Sequence, residues 1–175
     1  MYITAFEREN VQFQHDLAEL LAQTWPQSYG EDSLAEVARL LEPEKIAIAA
    51  IVDEELVGFA GAAPMYGKTG WELHPLVIVK QHQRSGVGSH LLHYLEKEVK
   101  SQGGITLYLG TDDEQDQTSL SGKDLYPDLL TEIRNIQNKA DHPYTFYQKQ
   151  GYQIVGVLPD VNGWGKPDIW MAKRL

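Results

Sequence analysis

Between Gly70 and Gly104 the chain changes character twice. Gly70-Trp71-Glu72-Leu73-His74-Pro75-Leu76-Val77-Ile78-Val79 reads as a strand, and Gln83-Arg84-Ser85-Gly86-Val87-Gly88-Ser89 reads as a glycine-bearing turn. Val87, Leu91, Leu92, Leu95 and Val99 then form the inward stripe of an amphipathic helix that Gly103-Gly104 closes. A strand that feeds a helix through such a turn aims the first N–H groups of the helix at one point, where partial positive charge collects. That is a seat for a phosphate or diphosphate, and Arg84 can add a charge-assisted contact. The same glycine pair also serves in an ordinary strand–helix turn. No Gly-Lys-Ser/Thr follows, so the turn is not a Walker loop. Leu91 stands where a dinucleotide fingerprint needs its third glycine.

Pro75 adds a second constraint. Without an N–H it cannot donate to a ladder, so it marks either an edge strand or a bulge where neighbouring strands separate. In the second case the backbone groups of Leu76, Val77 and Ile78 are free to pair with an extended ligand. A phosphate seat beyond such a strand suits a ligand with a phosphate tail and an amide-bearing arm, which is the shape of coenzyme A.

The rest of the chain supplies the frame. Tyr2 to Phe6 predicts a first strand. Val11, Phe13, Leu17, Leu20 and Leu21 predict a helix up to Trp25-Pro26, and the capping box Ser33-Leu34-Ala35-Glu36 opens a second. Ile46 to Val52, a turn at Asp53-Glu54-Glu55, and Leu56 to Gly61 make a hairpin. Later come a strand over Ile105 to Leu109, a polar stretch to about Ala140 with a helix near Leu125 to Ile136, and a short helix from Tyr144 to Gln150. Strands over Tyr152 to Val157 and Asp168 to Lys173 end the chain. Antiparallel strands joined to one crossover predict an α+β fold, and the lack of repeats or composition breaks predicts a single domain over residues 1–175.

Composition narrows the function classes. The 175 residues include no cysteine, which removes disulfides, thiolate metal sites and a cysteine nucleophile. Acidic residues outnumber basic ones 25 to 15, for a formal charge of −10, which disfavours a phosphate-backbone partner and so a nucleic acid. The same field attracts polycations such as polyamines, basic peptides or amino sugars, although acidity also serves solubility alone. No apolar run approaches the roughly 18 residues of a membrane span, and the N-terminus lacks a signal-peptide layout. The expectation is a cytoplasmic protein with no membrane partner. His90 and His93 have no carboxylate at matching spacing, so no metal site is expected.

Gln83-x-x-Gly86-x-Gly88, placed after a β-rich half and before a long helix, resembles the acyl-CoA motif of the GCN5-related N-acetyltransferase (GNAT) superfamily. Thr24-Trp25-Pro26, Gly70 to Leu76, Gly103 to Asp113, His142 to Tyr147, Gly151-Tyr152, Leu158-Pro159 and Asn162 to Trp170 resemble the chromosomal aminoglycoside 6'-N-acetyltransferases of the enterococcal type. The likeness runs nearly end to end and is weakest over Gln115 to Gln137. It implies a mixed central sheet splayed at a cofactor cleft, with helices on both faces. It also implies acetyl-CoA as cosubstrate, a homodimer, and acetyl transfer to an aminoglycoside, with antibiotic resistance as a consequence. A basic peptide or polyamine acceptor, or a non-catalytic CoA sensor, are the alternatives.

Residue roles follow from chemistry and resemblance together. Glu72, His74 and Leu76 alternate along one strand and share a face. There Glu72 can hold an ammonium and accept its proton, with His74 assisting or orienting, or the two can form a plain cross-strand polar pair. The N–H of Leu76 or Val77 is the expected polariser of the thioester carbonyl. Leu76, Val77, Ile78 and the run Gln83, Arg84, Ser85, Gly86, Val87, Gly88 and Ser89 are the expected cofactor contacts. The resemblance makes Tyr147 the acid for the departing thiolate, where the sequence alone allows a packed tyrosine. Trp25, Tyr66, Asp112 and Asp113 are the expected acceptor contacts: two flat rings and two charges, each with a structural alternative.

Overall fold

The structure, a computed structural model, describes residues 1–30 and 32–175. It is α+β, and its strand order is β1-β2-β3-β4-β5-β7-β6 in an open seven-stranded sheet. The chain divides into two compact units, residues 1–107 with Leu175, and residues 108–174. The division falls inside a strand, where no linker or composition shift marks it in the sequence.

The first unit opens with β1 (Tyr2–Ala5), α1 (Val11–Thr24), α2 (Pro26–Tyr29) and α3 (Ser33–Leu40). The meander β2 (Ile46–Val52), β3 (Glu55–Tyr66) and β4 (Gly70–Ile78) follows, then α4 (Val87–Ser101) and the start of β5 (Thr106–Asp112). β1 to β4 pair antiparallel in sequence order. β2 reads Ile46-Ala47-Ile48-Ala49-Ala50-Ile51-Val52 and is buried on both faces because helices cover both. Ala47, Ala49 and Ile51 join Phe59 and Val77 in a core with Leu17 and Leu21 of α1 and Val37 and Leu40 of α3. Each fully buried leucine there contributes roughly 2 kcal/mol. On the opposite face α4 buries Val87, Leu91, Leu92, Leu95 and Val99, as the sequence predicts. Gly58 lets this helix lie close, since a Cβ there would stand 3.0 Å from Leu91 Cδ1.

Three local details differ from the sequence reading. α2 is an added turn of helix, begun by Pro26 at its first position. Ser33 lies inside α3, whose N-cap Asp32 makes no side-chain cap bond, so the predicted capping box is not formed. β3 runs on to Tyr66, five residues past the predicted end at Gly61.

The second unit contains the rest of β5, a 3-10 turn (Tyr126–Asp128), α5 (Leu129–Arg134), α6 (Tyr144–Lys149), β6 (Gln153–Leu158) and β7 (Asp168–Arg174). β6 and β7 pair antiparallel, and Tyr108 of β5 stacks on Trp170 of β7 at 5.8 Å between ring centroids. A Cβ at Gly110 would meet the Asp168 carboxylate at 2.5 Å, so this contact between β5 and β7 needs glycine. Among the described residues no helix is long and apolar enough to cross a membrane.

Candidate active site

The glycine turn is shaped by two left-handed residues ahead of a helix. A 3-10 turn (Lys80–His82) leads to Arg84 at φ +60° and Gly86 at φ +93°, the N-cap of α4. Gly86 tolerates this left-handed conformation, which a side chain disfavours. Left-handed residues set beside helical ones draw successive N–H groups into an anion-binding concavity. No side chain caps α4, and its first turn holds no acidic residue. The N–H groups of Val87, Gly88 and Ser89 therefore begin the helix at its positive end. The loop's own side chains brace it: Ser85 Oγ donates to the His82 carbonyl at 2.6 Å, and Gln83 Nε2 donates to the Ile78 carbonyl at 3.0 Å.

β4 carries the other half of this unit's site. Ala60 pairs with Leu76 and Ala62 with Leu73, so β4 has one extra residue across His74-Pro75, which is a bulge. The His74–Pro75 peptide is cis. Gly61 of β3 makes the bulge possible, because a Cβ there would lie 2.6 Å from the His74 carbonyl oxygen. Beyond the bulge, Val79 N–H donates to the Val57 carbonyl at 2.9 Å. Antiparallel pairing repeats every second residue, so Val77, opposite Phe59, also directs its backbone groups to β3. Leu76 and Ile78 direct theirs away from β3, as the Gln83 bond to Ile78 shows. This corrects the expectation that Leu76 and Val77 are equivalent: Leu76 has the outward N–H, and Val77 spends its own on the sheet.

The bulge breaks the predicted alternation on β4. Glu72 and His74 share a face, but Leu76, paired with Ala60, and Ile78, which flanks Gly58 together with Leu91 of α4, lie on the other. Val77 joins the α1 side. Trp71, Leu73 and Val77 are buried, while Glu72, Leu76 and Ile78 are half-buried and His74 is exposed. Glu72 faces the small Ala63 across the strand pair, which leaves room beside its carboxylate. His74 Nε2 and the hydroxyl of Tyr29 on α2 lie 3.0 Å apart, and the Tyr29 ring meets Trp25 edge-on at 5.8 Å. Trp25 is thus half-buried beside the β4 residues. Tyr66 is 69% exposed at the β3–β4 turn, and its Cβ lies 3.0 Å from where a side chain at Gly70 would start. It therefore stands on the face that Gly70 shares with Glu72. The structure sets Trp25, Tyr29, Glu72 and His74 on one face of the first unit, with the Leu76 side chain on the other. Tyr29 was missed, although Trp25-x-x-x-Tyr29 across Pro26 has the spacing of one helical turn.

The second unit holds Asp112, Asp113 and Tyr147. Asp113 is fully buried, and its carboxylate accepts from Gln117 N at 2.6 Å, Thr118 N at 2.8 Å and the Ser121 hydroxyl. Burial alone would raise its pKa, but the bonds from Ser121, Thr118 and Gln117 outweigh it and hold the carboxyl below its ordinary value. This corrects the expectation for Asp113: its oxygens brace the loop that follows and do not face an acceptor. Asp112 is exposed and accepts from Asn162 Nδ2 at 2.5 Å.

The braced loop in turn supports α6. Residues 117–119 zip against 137–140 through Ser119 N to Gln137 O (2.9 Å), Lys139 N to Gln117 O (2.7 Å) and a bridge between Thr118 and Asn138. Asn138 bonds the backbone of His142 in both directions at 2.9 Å. His142, fully buried, accepts from Tyr144 N at Nδ1, so its Nε2–H donates to the Asp112 carbonyl. Burial lowers the His142 pKa against the opposing pull of Asp112 and Asp113. One turn further on, Tyr147 is buried with its ring edge-on to Phe146 and Tyr152. Burial also pushes the Tyr147 phenol above its ordinary value, so it keeps its proton through the neutral range. Among the described residues, no group of three or more His, Asp or Glu is arranged to hold a metal.

The site can therefore seat an anion at a helix N-terminus, turn backbone groups outward beyond a bulge, and present a carboxylate and an imidazole beside aromatic rings. The Acetyltransferase (GNAT) family matches residues 14–121. An aminoglycoside 6'-N-acetyltransferase complexed with coenzyme A is 54% identical, with a TM-score of 0.98 over 99% of this chain and 97% of that one. The aminoglycoside 6'-N-acetyltransferase from Enterococcus faecium is also 54% identical, with a TM-score of 0.96 and the same coverage. An aminoglycoside 6'-acetyltransferase type Ii is 48% identical with a TM-score of 0.81, again over 99% and 97%. No curated protein matches.

Proposed function

The chain belongs to the GNAT acetyltransferase family, and from that premise we propose that it acetylates the 6'-amine of aminoglycosides. The observation that carries this reading is the near-complete match in sequence and fold to an aminoglycoside 6'-N-acetyltransferase complexed with coenzyme A. Acetyl-CoA supplies an activated acetyl thioester. The amides of Val87, Gly88 and Ser89, with Arg84, hold its diphosphate. Outward groups of Leu76 and Ile78 pair with its amide arm, and Gln83 and Ser85 keep the loop in shape. The Leu76 N–H polarises the acetyl carbonyl.

Glu72 holds the acceptor ammonium and takes one proton from it, so that a neutral nitrogen attacks. The N–C bond forms as the C–S bond breaks; the nitrogen releases its second proton to solvent, and the sulfur takes one from the Tyr147 phenol, which solvent restores. The absence of cysteine removes a thiol acyl-enzyme, leaving direct attack with both substrates bound. Trp25 and Tyr66 offer flat faces to sugar rings, and Asp112 offers charge to further ammonium groups. Acetylation removes one positive charge from the drug, which is a route to antibiotic resistance. A homodimer is part of the proposal: β6 is an edge strand, and its Val155 and Leu158 are exposed. So is a cytoplasmic location, where acetyl-CoA is available.

The test is thiol release from acetyl-CoA with aminoglycosides that carry or lack a 6'-amine, with spermidine, and with a Lys-rich peptide. Release confined to 6'-amine drugs supports the reading. Preference for spermidine or the peptide moves the acceptor to another class. Coenzyme A binding without turnover on any amine makes the protein a sensor.

A further inference from the structure

We infer that Tyr29 is a positioning residue for the acceptor, acting through His74. This rests on the acceptor site proposed above. The His74 backbone is fixed by its close approach to Gly61, but its imidazole is exposed and has room to turn. An exposed side chain loses rotamer freedom when it must meet a ligand, and a partner that holds it beforehand removes that cost. Tyr29 is that partner, with its hydroxyl 3.0 Å from Nε2. The bond selects the nitrogen as well as the rotamer: with Nε2 engaged, Nδ1 is the atom left to face the acceptor.

Tyr29 is itself held in place. α2 follows α1 directly through Trp25 N to Leu21 O at 2.9 Å, and Tyr29 N donates to the Trp25 carbonyl at 3.0 Å. Its ring rests against Trp25 and the core of the first unit. The turn closes at Gly30, where a Cβ would lie 2.6 Å from the Pro26 carbonyl oxygen. A short helix, packed through the Tyr29 ring, therefore delivers that residue's hydroxyl to the His74 imidazole.

Tyr29→Phe keeps the ring contact and removes only the hydroxyl. It is expected to raise the acceptor KM about threefold to tenfold, to lower kcat by a smaller factor, and to leave coenzyme A affinity by calorimetry where it was. The deciding comparison is in a His74→Ala background, where the same change then moves the acceptor KM by less than about 1.5-fold. An equal cost in both backgrounds assigns Tyr29 to packing alone and overturns the inference. Gly30→Ala, which displaces the end of α2, should reproduce the KM effect with His74 present and lose it without. If the unaltered protein releases no thiol with any aminoglycoside, the proposed function fails while this inference is still readable. Imidazole nitrogen-15 spectra of Tyr29→Phe should then shift the His74 signals and leave those of His142; unmoved His74 signals overturn it.

Discussion

β4 and the loop after β5 each carry a carboxylate, Glu72 and Asp113, yet they use their polar groups in opposite ways. On β4 a one-residue bulge turns the Leu76 and Ile78 backbone outward, and Glu72 stays half-buried opposite a small residue. In the loop, Asp113 is sealed from solvent and both oxygens of its carboxylate accept from donors of the same loop. The first pattern leaves bonding capacity for something that arrives. The second spends it on holding the chain. Residue type does not separate the two; the number of donors already present does.

Glu72→Gln is the sharpest test of that contrast. It keeps the shape and removes the base, so kcat/KM for the acceptor should fall on the order of 100-fold or more, with coenzyme A affinity retained. Equal loss of both would give Glu72 the same bracing role as Asp113. Asp113→Ala should do the reverse, costing about 3 kcal/mol in urea unfolding by stranding buried donors. Its residual activity should track the folded fraction.

Gly86→Ala tests whether the cradle depends on a left-handed residue. The strain is about 1–2 kcal/mol, so coenzyme A binding by calorimetry should weaken roughly tenfold. The smallest effect concerns acid stability. His142 and Asp113 both have lowered folded values, so each binds fewer protons folded than unfolded and stability falls with falling pH. His142 contributes fully above its ordinary 6.5, and its share is lost as the pH drops through its lower folded value. Asp113 gives way only below 3.8. Urea midpoints measured from pH 8 to pH 3 should decline in those two windows, and Asp113→Asn should flatten the second.

Periodicity made most of the fold legible. The inward stripe of α4 depends on spacing alone and stands in the structure as read, whereas the alternation on β4 holds only as far as the bulge, which moves Leu76 to the face opposite Glu72. α2 escaped because four residues are too few for a period, and its cue was Pro26 followed by Gly30. The bulge was visible as Pro75, but which amide it turns outward depends on the register with β3, which no single strand encodes. Asp113 was misread because adjacent aspartates look alike until the donors of Gln117, Thr118 and Ser121 fold back on one of them. The polar stretch from Gln115 to Gln137, whose sequence carries no clear period, gained a reason only from its zipper to Asn138 and the seat of Tyr147.

Gly61 shows where this architecture is free to diverge and where it is not. The kink that aims the Leu76 amide is governed from the adjacent strand, by the lack of a single methyl group opposite the His74 carbonyl. An exposed side chain beside it, such as Tyr66, can change without disturbing that kink. A change as small as Gly61→Ala, thirteen residues upstream of the histidine, would shift the donor for every acceptor at once.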